Sequence, residues 1–390
     1  MRIALVTHRF VKGDGQGRVN YELARAALAE GHAVWLLASE IAPELAAHPN
    51  ARCVRLGVGP VPLALLQNQV FACATTLWLW RHRRELDLVH VNGFVTWGRA
   101  DVNTSHFVHS AWSRSPFHTW RVRHDAYGLY QLIYSYCGRW LESCSYRATR
   151  LIVAVSQQVG RELTETGIDP ARIVVIPNGV DTEEFRPRTV DQRAALGLGP
   201  GKLLLFVGDI RTPRKNLDTL LQALAHVADA RLLVIGDTRS SPYPRLATEL
   251  GLQERVSFLG FRRDIPAVMQ AVDLFVFPSR YEACSLVLLE AAASGLPIVA
   301  ARTTGGAELL SRGCSVLVKD PDDLHELAAE LNQLLANPAE LARMGEESRR
   351  IALANSWQVM AQHYLQLYRD LLQSPRDERA DGGRGEARTI

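Results

Sequence analysis

A chain of 390 residues with 47% hydrophobic and 22% charged residues is ordinary globular material, long enough for two or more domains. Its formal net charge of +3 is too small to argue for a nucleic-acid partner. Six cysteines (Cys53, Cys73, Cys137, Cys144, Cys284 and Cys314) contain no CxxC pair, which argues against a structural metal and reads as scattered, mostly buried thiols of a reducing compartment.

In chain order, RIALVT reads as a first core strand, too short and too soon polar for a signal peptide. Gly13, Gly15 and Gly17 follow in a loop with GxGxG spacing, which does not match the GxGxxG dinucleotide turn. Gly15, Gln16 and Gly17 there read as flexible backbone whose N–H groups a substrate approaches. A helix from about Gly17 closes at Gly31, and HAVWLLAS is the next strand. Residues 56–80 carry no charge, and RHRR follows at once. Gln67, Asn68 and Gln69 interrupt this stretch, and Pro60 and Pro62 break its start, which argues against a membrane span. Two readings stay open: an amphipathic domain helix with a solvated basic end, or a helix resting on an anionic membrane surface. LDLVHVN, ADVNTSH, RLIVAVS and IVVIPNG complete the first set of strands.

The same grammar restarts at KLLLFVGD and runs through ARLLVIGD, RVSFLG, DLFVFPS, PIVAA and CSVLV, with helical patterns between. Strands that are hydrophobic throughout and alternate with helices imply parallel sheets covered on both faces. The fold class is therefore α/β, with two doubly wound (Rossmann-like) parallel-sheet domains facing one cleft. The expected boundaries are 1–185 for the first domain and 195–355 for the second. A helix at 356–373 packs back on the first, and a charged, glycine-rich tail at 374–390 is expected to be disordered.

Doubly wound domains bind ligands at the carboxyl ends of their strands, so charged residues there are the candidates. In YEACSLVLLEAAASGLPIVA, Glu282 and Glu290 stand eight positions apart in a greasy segment. A helix beginning near Cys284 would place them roughly 12 Å apart. The N–H groups of Cys284, Ser285 and Leu286 would lie between them as a phosphate cradle. Equally, one acid can serve the helix dipole and the other solvent. Arg211, Arg214 and Lys215 occupy the loop after FVGD, on a neighbouring strand end. In the first half, His106 and His109 of NTSHFVHSAW end another strand; as a zinc pair their HxxH spacing has no third ligand. The DPDD run at 320–323 reads as a turn and helix cap.

These motifs together resemble glycosyltransferase family 4, the retaining enzymes of GT-B fold. EACSLVLLEAAASGLPIVA resembles their E-x7-E signature, and FVGDIRTPRKNLDTLLQAL their phosphate loop. VIPNGVDTEEFRP resembles the interdomain strand, and GQGRVNYELARAALAEGHAVWLLA the N-terminal glycine loop and helix. The resemblance implies that the second domain binds a nucleotide-diphospho-sugar and the first a glycan or lipid-linked acceptor. Glu290 would hold the ribose, Arg214 and Lys215 the diphosphate, and Glu282 the hexose. The backbone of Cys284 to Leu286 would lie at the phosphate or sugar, and His106 or His109 would reach the sugar from across the cleft. It further implies no cofactor, no metal, and a cytoplasmic protein that is either free or peripheral on the inner membrane face. The phosphate loop carries one inserted residue relative to the pattern, so the roles of Arg211 and Arg214 stay open. Cys284 and Ser285 replace a usual phenylalanine and glycine.

The alternatives are an NAD(P)-dependent oxidoreductase using the first domain and a binding module without turnover. The glycine spacing and the lack of a hydride-transfer partner oppose the first. Intact Glu282, Glu290 and Lys215 oppose the second.

Overall fold

The computed structural model describes residues 1–57, 59, 63–188 and 192–373. The expected tail at 374–390, and Pro60 and Pro62, lie outside the described residues.

Seven parallel strands build the first sheet: Arg2–Val6 (β1), Ala33–Ala38 (β2), Ala51–Arg55 (β3), Leu88–Asn92 (β4), Ala100–Ser105 (β5), Thr149–Ala154 (β6) and Ile173–Val175 (β7). Their spatial order is β3-β2-β1-β4-β5-β6-β7. Six build the second: Lys202–Val207 (β8), Ala230–Ile235 (β9), Val256–Gly260 (β10), Leu274–Phe277 (β11), Ile298–Ala301 (β12) and Ser315–Val318 (β13), ordered β10-β9-β8-β11-β12-β13. The two expected doubly wound sheets are thus present. Each reverses direction once, between β1 and β4 and between β8 and β11, and the crevice at that point is where such sheets bind ligands.

The central strands bury every side chain over Leu203–Phe206 and Leu274–Phe277, which is why they read as unbroken apolar runs. β3 escapes the sequence reading for the opposite reason. It is an edge strand with Arg52, Cys53 and Arg55 exposed. The cysteines are all free, but they are not mostly buried. Cys53 sits on that edge, Cys73 is also exposed, and only Cys314 is fully buried.

Helices that matter below are Gly15–Ala29 (α1), Ala64–His82 (α2), His109–Arg114 (α3), Ala126–Arg147 (α4), Gln157–Glu165 (α5), Leu217–Leu224 (α6) and Leu286–Ala293 (α7). Leu324–Leu335 (α8), Pro338–Ala354 (α9) and Trp357–Gln373 (α10) end the described chain. Asp323 caps α8 by accepting from the amides of His325 and Glu326, which accounts for the DPDD run. Among the described residues no helix is long and apolar enough to cross a membrane.

The chain passes between the sheets twice. Val180 and Ser356 pair as an isolated parallel bridge at that double crossing, with Trp357 N donating to Val180 O at 3.1 Å. A Cβ on Gly179 would sit 2.7 Å from the Trp357 backbone, so only glycine fits. After the crossing, α10 buries Trp357, Met360, Tyr364 and Tyr368 in the core that also holds Ile3, Leu5 and Leu23.

Candidate functional site

The turn after β11 and the loop after β8 meet at the second sheet's switch point. Their backbones are tied together, since Arg280 N donates to Arg214 O at 3.0 Å. Asn216 locks the end of the basic loop. It adopts a left-handed conformation (φ 62°), which asparagine tolerates, and its buried amide donates to Pro278 O at 2.9 Å. This framework brings Lys215 directly onto the Glu282 carboxylate, with an Arg214 nitrogen 3.5 Å away. Glu282 is only 8% exposed. Lys215 lies over the Phe277 ring at 5.1 Å, and burial pulls its pKa down while Glu282 opposes the fall. Arg211 does not join them. Its guanidinium turns to Asp209 at 2.9 Å and stays half exposed.

Arg280 was not among the candidates, because nothing local marks it. Its buried guanidinium grips Asp218 at 2.8 and 2.9 Å, Asp322 at 2.6 Å and Pro213 O at 2.7 Å. It thereby fixes the basic loop, the start of α6 and the turn before α8 in one cluster. Arg280 also lies 4.7 Å from the ring centroid of Phe117, which belongs to the first half.

The acidic pair departs from the expected geometry. α7 begins at Leu286, not near Cys284, so Glu290 is one turn in and Glu282 lies four residues outside. The helical estimate of their separation therefore does not apply. Tertiary bonds set this start. Glu282 pairs with Thr304 as an isolated bridge, Gly305 N donates to Glu282 O at 3.0 Å, and Ser285 N donates to Gly305 O at 2.9 Å. The Ser285 amide is thus not free for a phosphate, and Ser285 is the cap residue. Burial pushes the Cys284 thiol up to about 12, which keeps it protonated.

Gly305 is required for that close approach, since a Cβ there would meet Ala283 O at 2.1 Å. Its neighbour Gly306 takes φ +93° and donates to Glu308, whose other carboxylate oxygen accepts from Gln157 N, the first residue of α5, at 2.6 Å. Glu308 therefore bridges the two lobes. The TTGG run after β12 was the available signal for this loop.

Glu290 sits in a different setting from Glu282. Among the described residues nothing donates to its carboxylate. Burial raises its pKa to about 7, helped by Glu184 and opposed by Arg18. Arg18, also missed, pairs with Glu22 one turn along α1 at 2.8 Å and reaches Asp181 outside the helix at 2.9 Å. α1 itself begins at Gly15, so Gly15, Gln16 and Gly17 form its first turn rather than a long loop, and Asp14 already accepts from the Gly17 amide at 2.9 Å. A Cβ on Gly15 would lie 3.6 Å from Leu286, so the starts of α1 and α7 face each other across the cleft.

The two histidines occupy separate niches. His106, at the carboxyl end of β5, holds Asn92 of β4 at 3.0 Å. His109 opens α3, and its ring lies against Phe107 and Tyr134. Gly138 of α4 makes the room, because a Cβ there would stand 2.8 Å from that ring. Burial lowers both imidazoles to about 4, so both are neutral near pH 7. Tyr281, next to Glu282, reaches into the first lobe, where its hydroxyl donates to Glu162 at 3.1 Å. A cavity of about 370 Å³ opens beside it, lined by Arg114, Ser115, Arg161 and Glu162 among others.

Two family models match the chain: Glycosyltransferase Family 4 over residues 13–184 and Glycosyl transferases group 1 over residues 201–337. A D-inositol 3-phosphate glycosyltransferase from Mycobacterium marinum is 37% identical over 234 residues, covering 57% of this chain and 50% of that protein. The match thus spans about half the length of such curated relatives. Among solved structures, sucrose-phosphate synthase from Thermosynechococcus elongatus superposes with a TM-score of 0.77 at 23% identity, covering 95% of this chain and 98% of that one. Anabaena HepE in complex with UDP-glucose superposes with a TM-score of 0.70 at 22% identity, covering 95% and 100%. With the two models running over most of its length and the two facing sheets in place, the chain belongs to glycosyltransferase family 4, with the GT-B fold.

Proposed function

We propose that this protein transfers a hexose-type sugar from a nucleotide-diphospho-sugar to a glycan or glycolipid acceptor, with retention of configuration and without a divalent metal. The observation that carries this reading is the convergence of Arg214, Lys215 and Glu282 at the switch point of the second sheet. In this reading the diphosphate takes over Arg214 and Lys215, and the freed Glu282 carboxylate accepts from sugar hydroxyls. Glu290 holds the ribose, Cys284 and Leu286 line the phosphate or sugar, and Gly15 and Gln16 approach from the facing helix start. His106 reaches the sugar from the acceptor side. The bond from the anomeric carbon to the diphosphate breaks while the acceptor oxygen attacks the same face, and the acceptor proton passes to the departing diphosphate. The two cations stabilise the charge that develops there. The acceptor enters beside Tyr281. The name of the Mycobacterium marinum relative also favours a small phosphorylated polyol, for which Arg114 and Arg161 are the nearby cations.

The test is incubation with UDP-, GDP- and ADP-sugars, following slow nucleotide release and the anomeric configuration of product. Release with one donor class and a retained anomer is expected. Binding without release under any acceptor favours the module, and binding of a nicotinamide cofactor alone favours the oxidoreductase.

A further inference from the structure

Helices α2 and α4 present apolar stripes to the outside. From the cap residue Leu63 along α2 the exposed positions run Leu66, Val70, Cys73, Leu77 and Trp80, at spacings of three and four that define one helical face. On α4, Leu129, Ile133, Tyr136 and Trp140 repeat that spacing. The helices are neighbours: Asn68 of α2 donates to the Tyr134 hydroxyl at 3.4 Å, and Trp140 meets Trp97, in the loop after β4, at 5.9 Å. Of the fifteen most exposed large apolar side chains among the described residues, twelve lie between Leu63 and Trp140. That concentration distinguishes a patch from the scattered apolar surface every protein has.

Charge decides what covers it. Residues 56–84 contain no acid, and residues 102–141 contain only Asp125, which pairs with Arg123. Arg81, Arg84, Arg121 and Arg139 are exposed around the stripes. A second copy laid on this face would set arginine against arginine. An anionic lipid surface instead takes the aliphatic side chains into its acyl boundary, the tryptophans and tyrosines at headgroup level, and the arginines onto its phosphates.

We propose that α2 and α4 together form a docking face for an anionic bilayer. The face leads along residues 109–125 to the cleft, where Trp112 meets Tyr281 and Phe117 meets Arg280. A hydroxyl carried on a lipid would thus arrive at the acceptor side. That last consequence rests on the transferase reading above, whereas the docking itself does not.

The test is flotation of the full chain with vesicles of phosphatidylcholine mixed with phosphatidylglycerol, against pure phosphatidylcholine, at low and high salt. Binding to the mixed vesicles only, weakened by salt, is expected. Leu77→Glu with Trp80→Glu should cut the bound fraction about tenfold or more, since burial of both side chains is lost. Arg81→Gln with Arg84→Gln should cut it roughly tenfold. Phe261→Glu, on a residue 80% exposed in the other lobe, should leave it unchanged. No flotation, or equal flotation on neutral vesicles, overturns the proposal. So does a concentration-dependent dimer that the Leu77 and Trp80 changes abolish. Nucleotide release with soluble substrates should survive those changes, so loss of flotation alone leaves the transferase reading intact.

Discussion

At the carboxyl ends of β8 and β11, Glu282, Lys215, Arg280 and Asp218 each have a partner of opposite sign, whereas beyond the ends of β4 and β5 burial disfavours the charged form of every group, lowering the imidazoles of His106 and His109 and raising the Glu142 carboxyl that accepts from His109 N at 2.9 Å. The same sheet topology therefore supports two kinds of crevice. One is a compensated charge network that an anion can enter by exchange. The other is an uncharged wall suited to hydroxyl-rich or apolar groups. Glu290 is the exception inside the charged half, since it has neighbours of both signs but, among the described residues, no donor.

The largest expected break of this contrast is Lys215→Ala, which leaves Glu282 only Arg214 as a nearby cation, with the Ser279 hydroxyl at 3.4 Å. A loss of about 3 to 5 kcal/mol in urea unfolding and of nucleotide release should follow. Lys215→Met with Glu282→Leu should recover most of the stability but none of the turnover. If the single variant unfolds like the wild type, the network is not compensating anything.

Next comes Glu290. Its folded pKa, about 7, lies above its unfolded value near 4.5. Its contribution to stability is thus fully present below about pH 4.5 and is lost as pH rises through 7. Glu290→Gln should stabilise the protein by about 2 to 3 kcal/mol at pH 8 and by little at pH 4.5. Glu290→Ala should weaken nucleotide binding by about 1 to 3 kcal/mol in calorimetry; unchanged affinity would remove it from the ribose site.

On the neutral side the sign reverses. His106 and His109 have folded values near 4, below the usual 6.5. Their contribution is present above about pH 6.5 and lost as pH falls through 4, so replacing either by Gln should recover about 2 kcal/mol at pH 4.5. Turnover separates them: His106→Ala should slow transfer by roughly tenfold or more, and His109→Ala by less. Equal near-wild-type rates would take both out of the reaction. The smallest effect is expected for Arg211→Ala, within about 0.5 kcal/mol in stability and nucleotide affinity, because its ion pair with Asp209 is exposed.

Much of this was legible in the sequence because it is local. Apolar runs marked the strands of both sheets, and the charges after FVGD and DLFVFPS lie on neighbouring strand ends in the fold as well. What sequence could not supply is set by distant partners. The first turn of α7 waits on Gly305, some twenty residues later in the chain. Arg280 draws its meaning from Asp218 and Asp322, and Arg18 from Asp181. The double glycine after β12 and the apolar repeat of α2 were visible, but periodicity alone does not say which face of a helix meets solvent.

The paired crossing at Val180 and Ser356 has a mechanical corollary. Two chain segments lying side by side and hydrogen-bonded, with no room for a side chain at Gly179, behave like the spine of a book rather than a string. A twist across that line would break the hydrogen bond from Trp357 N to Val180 O and the one from Val180 N to Asn355 O. That line therefore fixes which residues of one lobe stand opposite which residues of the other.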